Sequence, residues 1–146
     1  MIGELYERGT PATPQDFGEA FQWYTKAAEA EEGHGIIALA EMHFHGRGVK
    51  QDYVEAARLY RKVHRGGRAM LRLGWMHENG KGVPEDLAEA HKWFNLAREM
   101  GFGEEIEAEA DAGRLRIESA MTEAQRADGW RRYEAFKDEL TAAARA

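Results

Sequence analysis

The chain has 146 residues, 43% of them hydrophobic and 32% charged, enough for one ordinary domain with a core. It holds no cysteine, which excludes a disulfide framework and thiolate metal sites, and its net charge of -6 disfavours the positive field that nucleic-acid binding needs. No apolar run approaches the length of a membrane span, and the opening MIGELYERGT lacks the basic-then-apolar pattern of a secretory signal. No membrane insertion is expected, and the cytoplasm is the expected compartment, or the periplasm if a signal has been removed.

In chain order, the pattern repeats. IGELYERGTPATPQDFGEAFQWYTKAAEAE is followed by a second copy containing HFHGRGVKQDYVEAARLYRK and a third containing HENGKGVPEDLAEAHKWFNL. Gly46, Gly48, Val49, Asp52, Glu55, Ala56 and Tyr60 fall on Gly80, Gly82, Val83, Asp86, Glu89, Ala90 and Phe94, an offset of 34 from 90 − 56. Asp16, Glu19, Ala20, Trp23 and Tyr24 occupy the same places in the first copy. A period of this length marks a stack of helix pairs.

Each unit reads as helix, turn, helix. Gly35, Leu39, Met42 and His43, then Ala69, Leu73, Met76 and His77, form the inner stripe of the first helix. Gly46 or Gly80 closes it in the left-handed conformation. Asp-x-x-Glu then starts the second helix as a capping box, the Asp accepting from a helix N–H and the Glu reaching back to the cap N–H. The second helices present Ala20, Trp23, Tyr24 and Ala27, then Ala56, Leu59, Tyr60 and Val63, then Ala90, Trp93, Phe94 and Ala97. Beyond Gly101 a helix is expected over Glu104 to Ala120. Thr122 and Gln125 form another box, and a last helix carries Ala127, Trp130, Tyr133, Phe136 and Leu140 before fraying in TAAARA.

ALAEMHFHGRGVKQDYVEAARLYRKV and RLGWMHENGKGVPEDLAEAHKWFNLA resemble Sel-one-like repeats, relatives of tetratricopeptide repeats. The likeness rests on the paired glycines with Val and the spaced Asp, and covers roughly residues 2 to 101. His43 and His77 stand where the family usually has Tyr, Ala40 where it has Gly, and Leu59 where it has Trp. The resemblance implies an all-α, right-handed α-α superhelix of three repeats at about 1–31, 32–66 and 67–101, the first incomplete. The helix pair of 102–146 would close it, covering the apolar face of the third unit.

The glycine loops do not fit a phosphate cradle, which needs a strand before it and a Lys-Ser/Thr after it. His43 and His45 are two residues apart and point in different directions on a helix, so they are not read as a metal pair. Ser119, the only serine, lacks a nucleophile elbow. No catalytic residue, metal or cofactor is therefore expected.

The resemblance places the first helix of each unit on a concave side. Beside the inner stripe, that leaves Ile37, Glu41 and Phe44, then Arg68, Leu71, Trp75 and Glu78, with Glu4 and Glu7 in matching positions of the first unit. Apolar anchors with a charged rim suit a peptide or helical partner. The competing reading packs Ile37, Leu71 and Trp75 against the next unit or the C-terminal helices, and for Leu71 it is the preferred one. The expected function is a non-catalytic protein–protein interaction scaffold of bacterial type. Two alternatives stand beside it: a hydrolase akin to the family's cysteine-rich members linked to β-lactams, and self-association through the incomplete first unit.

Overall fold

Three aspartates start three helices in the same way. The backbone N–H groups of Glu19, Glu55 and Glu89 donate to Asp16 Oδ1, Asp52 Oδ1 and Asp86 Oδ1 at 3.0, 3.0 and 3.1 Å. The reciprocal half of the expected box does not form. Each Asp N–H donates instead to a carbonyl of the preceding helix, that of Tyr6, His43 or His77, at 2.7, 2.8 and 2.9 Å. This bond ties the two helices of a unit together, and it frees the glutamates for cations: Glu55 accepts from Arg58, and Glu89 from Lys92 and Arg132. At Thr122 and Gln125 both halves of the box are present, at 2.9 and 3.1 Å.

A computed structural model describes residues 2–12, 14–63 and 66–145. They form eight α-helices: α1 (Ile2–Arg8), α2 (Phe17–Glu29), α3 (Gly33–His45), α4 (Tyr53–Lys62), α5 (Gly67–Asn79), α6 (Leu87–Met100), α7 (Glu104–Glu118) and α8 (Glu123–Arg145). They divide into two compact units, Met1–His64 and Arg65–Ala146. No helix among the described residues is long and apolar enough to cross a membrane.

Helices α3 and α5 end at Gly46 and Gly80, both left-handed at φ 69° and 62°. The next N–H groups, of Arg47 and Lys81, donate back to the Met42 and Met76 carbonyls at 3.0 Å. These bonds satisfy carbonyls that the helix end would otherwise leave open.

In the first unit α1 packs on α2, α2 on α3, and α3 on α4. Helix α3 is covered on both sides, so its buried arc (Ile36, Leu39, Ala40, Met42, Phe44) is wider than the stripe read from spacing. In the second unit α5, α7 and α8 all pack on α6. Helix α6 is accordingly buried almost all round from Ala88 to Ala97, including His91, Lys92 and Asn95.

Those polar groups are satisfied. His91 Nε2 lies 2.9 Å from Glu118 Oε1, and Asn95 Nδ2 donates to the His91 carbonyl at 2.9 Å. Lys92 sits over the Trp93 and Phe136 rings and pairs with Glu89.

Helix α8 departs from its expected face at its N-terminal half. Tyr133 is buried as expected and Phe136 packs on Trp93, but Ala127 is exposed, Trp130 is 44% exposed, and Gly129, outside the expected stripe, is buried. The cause is close approach: a Cβ on Gly129 would sit 2.7 Å from His91 Nδ1. Nor does the expected fraying occur, since α8 is helical through Arg145 over a run of good helix formers.

Candidate functional site

The expected partner-binding residues separate into two clefts, one in each unit. In the first unit, Ile37 and Glu41 line a cleft of about 180 Å³ together with Glu4, Glu7, His34 and Arg47. Its carboxylates already hold donors. Tyr60 Oη donates to Glu41, which is also 3.3 Å from His45 Nε2. Glu7 accepts from Tyr24 Oη at 2.7 Å and from Arg47 at 3.4 Å, and Glu4 lies 3.0 Å from His34 Nε2. The His34 contact is the main reason the Glu4 carboxyl is held below its ordinary range. Burial, and then the bond to Glu7, push the Tyr24 phenol above its ordinary value.

Phe44 is corrected. It was expected to face outward, but it is 7% exposed. After Gly46 the chain doubles back, and the start of α4 covers this position: the Phe44 ring meets those of Tyr53 and Tyr60 edge-on at 5.3 and 6.4 Å. Gln51 Nε2 donates to the Phe44 carbonyl at 2.9 Å, which fixes the turn.

In the second unit a cleft of about 210 Å³ opens between α5 and α7. Arg68, Leu71, Arg72 and Trp75 line it from α5, Glu109, Ala112 and Arg116 from α7, and Phe94 from below. Leu71 is 6% exposed, so packing takes most of its surface, whereas Trp75 is half-buried. Glu78 is engaged: Arg116 donates to it through Nε and Nη2 at 2.6 and 2.7 Å, and the guanidinium is held above its ordinary value chiefly by those bonds. This fork joins α5 to α7 at one end of the cleft.

Two glycines bracket the Phe94 ring at the cleft floor. A Cβ on Gly74 of α5 or on Gly113 of α7 would lie 2.8 or 2.6 Å from Phe94 Cε1. The Phe94 ring is therefore gripped between two helices, each bare of side chain at the contact. A glycine inside a helix costs about 1 kcal/mol relative to alanine, so both positions give up local stability for this approach.

Arg72, Phe94, Glu109 and Arg116 were absent from the expected site. Ala110, Gly113 and Ile117 are buried at helical spacing and mark the inner face of α7, with Glu109, Ala112 and Arg116 beside it. The mid-helix glycine was the available signal.

His43 and His77 pack within the fold. The His43 ring meets Phe21 at 5.7 Å, and His77 Nδ1 lies 3.2 Å from the Pro84 carbonyl. Elsewhere, Ile2, Leu5 and Phe102 are exposed at 48%, 51% and 93%.

A model of the Sel1 repeat matches residues 1–31, 33–62 and 67–102. The crystal structure of a Sel1 repeat protein from Oxalobacter formigenes is 35% identical, with a TM-score of 0.64 over 68% of this chain and 41% of that one. A protective antigen from uropathogenic Escherichia coli, displaying an SLR fold, is 22% identical, with a TM-score of 0.63 over 94% of this chain and 36% of that one. The chain thus spans well under half the length of either structure. No curated protein matches the sequence.

Proposed function

The chain belongs to the Sel1 repeat family, and from that premise we propose that it is a non-catalytic interaction scaffold that holds a segment of a partner protein. Sel1 repeats generally mediate protein interactions. The observation that carries the reading is the α5–α7 cleft, where Trp75, Phe94 and Leu71 make an apolar base inside a rim of Arg68, Arg72, Glu109 and Arg116. Apolar anchors inside a charged rim are the common anatomy of a binding hot spot.

The perturbed carboxylates support a structural use of charge. Asp86 and Glu89 face Arg132, Glu118 faces His91 and Arg114, and Glu55 faces Arg58. Arg132 of α8 with Asp86 and Glu89, and His91 of α6 with Glu118 of α7, join different elements, while Arg58 and Arg114 brace their own helices.

The test is Trp75→Ala in the full chain. Thermal unfolding should show an intact fold, and partner recovery from native lysate should fall at least ten-fold. Undiminished recovery by a folded variant would overturn the reading.

A further inference from the structure

We infer that the α5–α7 cleft recognises a carboxylate-bearing segment of a partner polypeptide, an Asp or Glu beside an apolar residue. The inference rests on the scaffold reading and names the chemistry of its partner.

Charge carries the argument. The chain as a whole is acidic, with a net charge of -6, yet three guanidinium groups and one carboxylate line this cleft. Glu78 balances Arg116 and holds it in place. Arg68 makes no ion pair among the described residues, and Arg72 stands one helical turn further along the same face of α5. The planar guanidinium fork matches a carboxylate through paired N–H donors. The half-buried Trp75 and the buried Phe94 beneath supply a surface for the flanking apolar side chain.

Size decides between a small ligand and a side chain. Pockets for whole small molecules run from about 300 to 1,000 Å³. At about 210 Å³ this cleft suits one or two side chains of a longer segment.

Comparison with the first unit explains why the cleft is selective. Glu41 and Tyr60 lie 34 residues before Trp75 and Phe94. The earlier pair is a carboxylate accepting from a phenol; the later pair has neither group. The first-unit cleft sets Glu4, Glu7 and Glu41 against Arg8 and Arg47, so carboxylates outnumber guanidinium groups there, the reverse of the second-unit cleft. The second-unit cleft has Trp75 in place of the carboxylate at this position, and Arg68, Arg72 and Arg116 around it.

The test uses an array of 12-residue peptides in which Leu or Phe is flanked by Asp and Glu. Matched arrays carry Asn and Gln, Lys, or phosphoserine in place of the acids. Labelled full-length protein is applied at 50 and 200 mM salt. The acidic peptides should be retained at least ten-fold better than their amide analogues, and less well at high salt. R68E/R72E should lose the acidic peptides and gain the lysine ones, a gain that only a folded cleft can give.

Equal retention of acidic and amide peptides, retention of acidic peptides by R68E/R72E, selective retention of phosphoserine, or no retention at all would each overturn the inference. Retention of amide peptides that depends on Trp75 would overturn it while leaving the scaffold reading intact. The scaffold reading fails separately, in the lysate experiment with Trp75→Ala.

Discussion

The two clefts are built on the same repeat and reach opposite chemistry. In the first unit, Glu41 and Tyr60 spend their polar groups on each other, and Glu7 and Tyr24 do the same across α1 and α2. In the second, the matching residues are Trp75 and Phe94, and the ring of Phe94 is clasped by Gly74 and Gly113. Exchanging Tyr60 alone would take one donor from Glu41, and a tyrosine at position 94 alone would bring a hydroxyl into a buried site. The comparison teaches that in a repeat array the functional change is a coupled exchange, because each helix–helix contact contains residues of both partners.

The largest expected effect breaks the apolar version. Phe94→Ala removes a ring that is 3% exposed and should destabilise the second unit by about 3–5 kcal/mol, read from urea denaturation. Introducing the first unit's pair piecemeal is the sharper test. Phe94→Tyr alone places a buried hydroxyl opposite Trp75 and should cost about 1–3 kcal/mol. Adding Trp75→Glu supplies an acceptor, so a double-mutant cycle should show favourable coupling of about 0.5–3 kcal/mol. Strict additivity would mean that the two positions do not face each other as Glu41 and Tyr60 do. The reverse change, Tyr60→Phe, takes one donor from Glu41 and should cost about 1.5–3 kcal/mol, since the bond is to a charged acceptor.

Acid should test the arginine that joins α6 to α8. In the second unit, burial pushes Asp86 and Glu89 upward, but Arg132 together with the Glu89 N–H on Asp86 and Lys92 on Glu89 more than offsets it. Both carboxyl groups end below their ordinary values of 3.8 and 4.5. Glu118 behaves alike, with His91 and Arg114 outweighing burial. A folded pKa below the unfolded one means the stabilisation is complete above the ordinary carboxylate range and is lost as pH falls below it. Arg132→Ala should therefore flatten the acid limb of stability below about pH 4, measured by denaturation across a pH series; an unchanged limb would remove Arg132 from its cause. The smallest effect belongs to an exposed pair in the first unit: Arg58→Ala should change stability by about 0.5 kcal/mol or less.

Much of this was readable in the chain. The Asp caps, the closing glycines and the paired helices follow from local rules: a short acceptor at a helix start, a residue free to turn left-handed at its end, and apolar residues at helical spacing. Local rules failed where a second element intervenes. The capping-box glutamates were freed because a carbonyl from the preceding helix reached the cap N–H first. Phe44 was buried because the next helix starts on top of it. Ala127 turned outward because Gly129 lets α8 settle on His91.

The candidate site divides along the same line. Arg68, Leu71 and Trp75 were legible because they share one face of one helix. Arg72, Arg116, Glu109 and the Phe94 floor were not, because the cleft exists only once α7 has packed beside α5. The sequence by itself determined the repeat, its helix limits and its family, since these depend on residues within a turn or two of each other. Tertiary structure alone decided which charges meet, because α5 and α7 are separated along the chain by the whole of α6. Their approach was set by bare backbone at Gly74 and Gly113 against one aromatic ring.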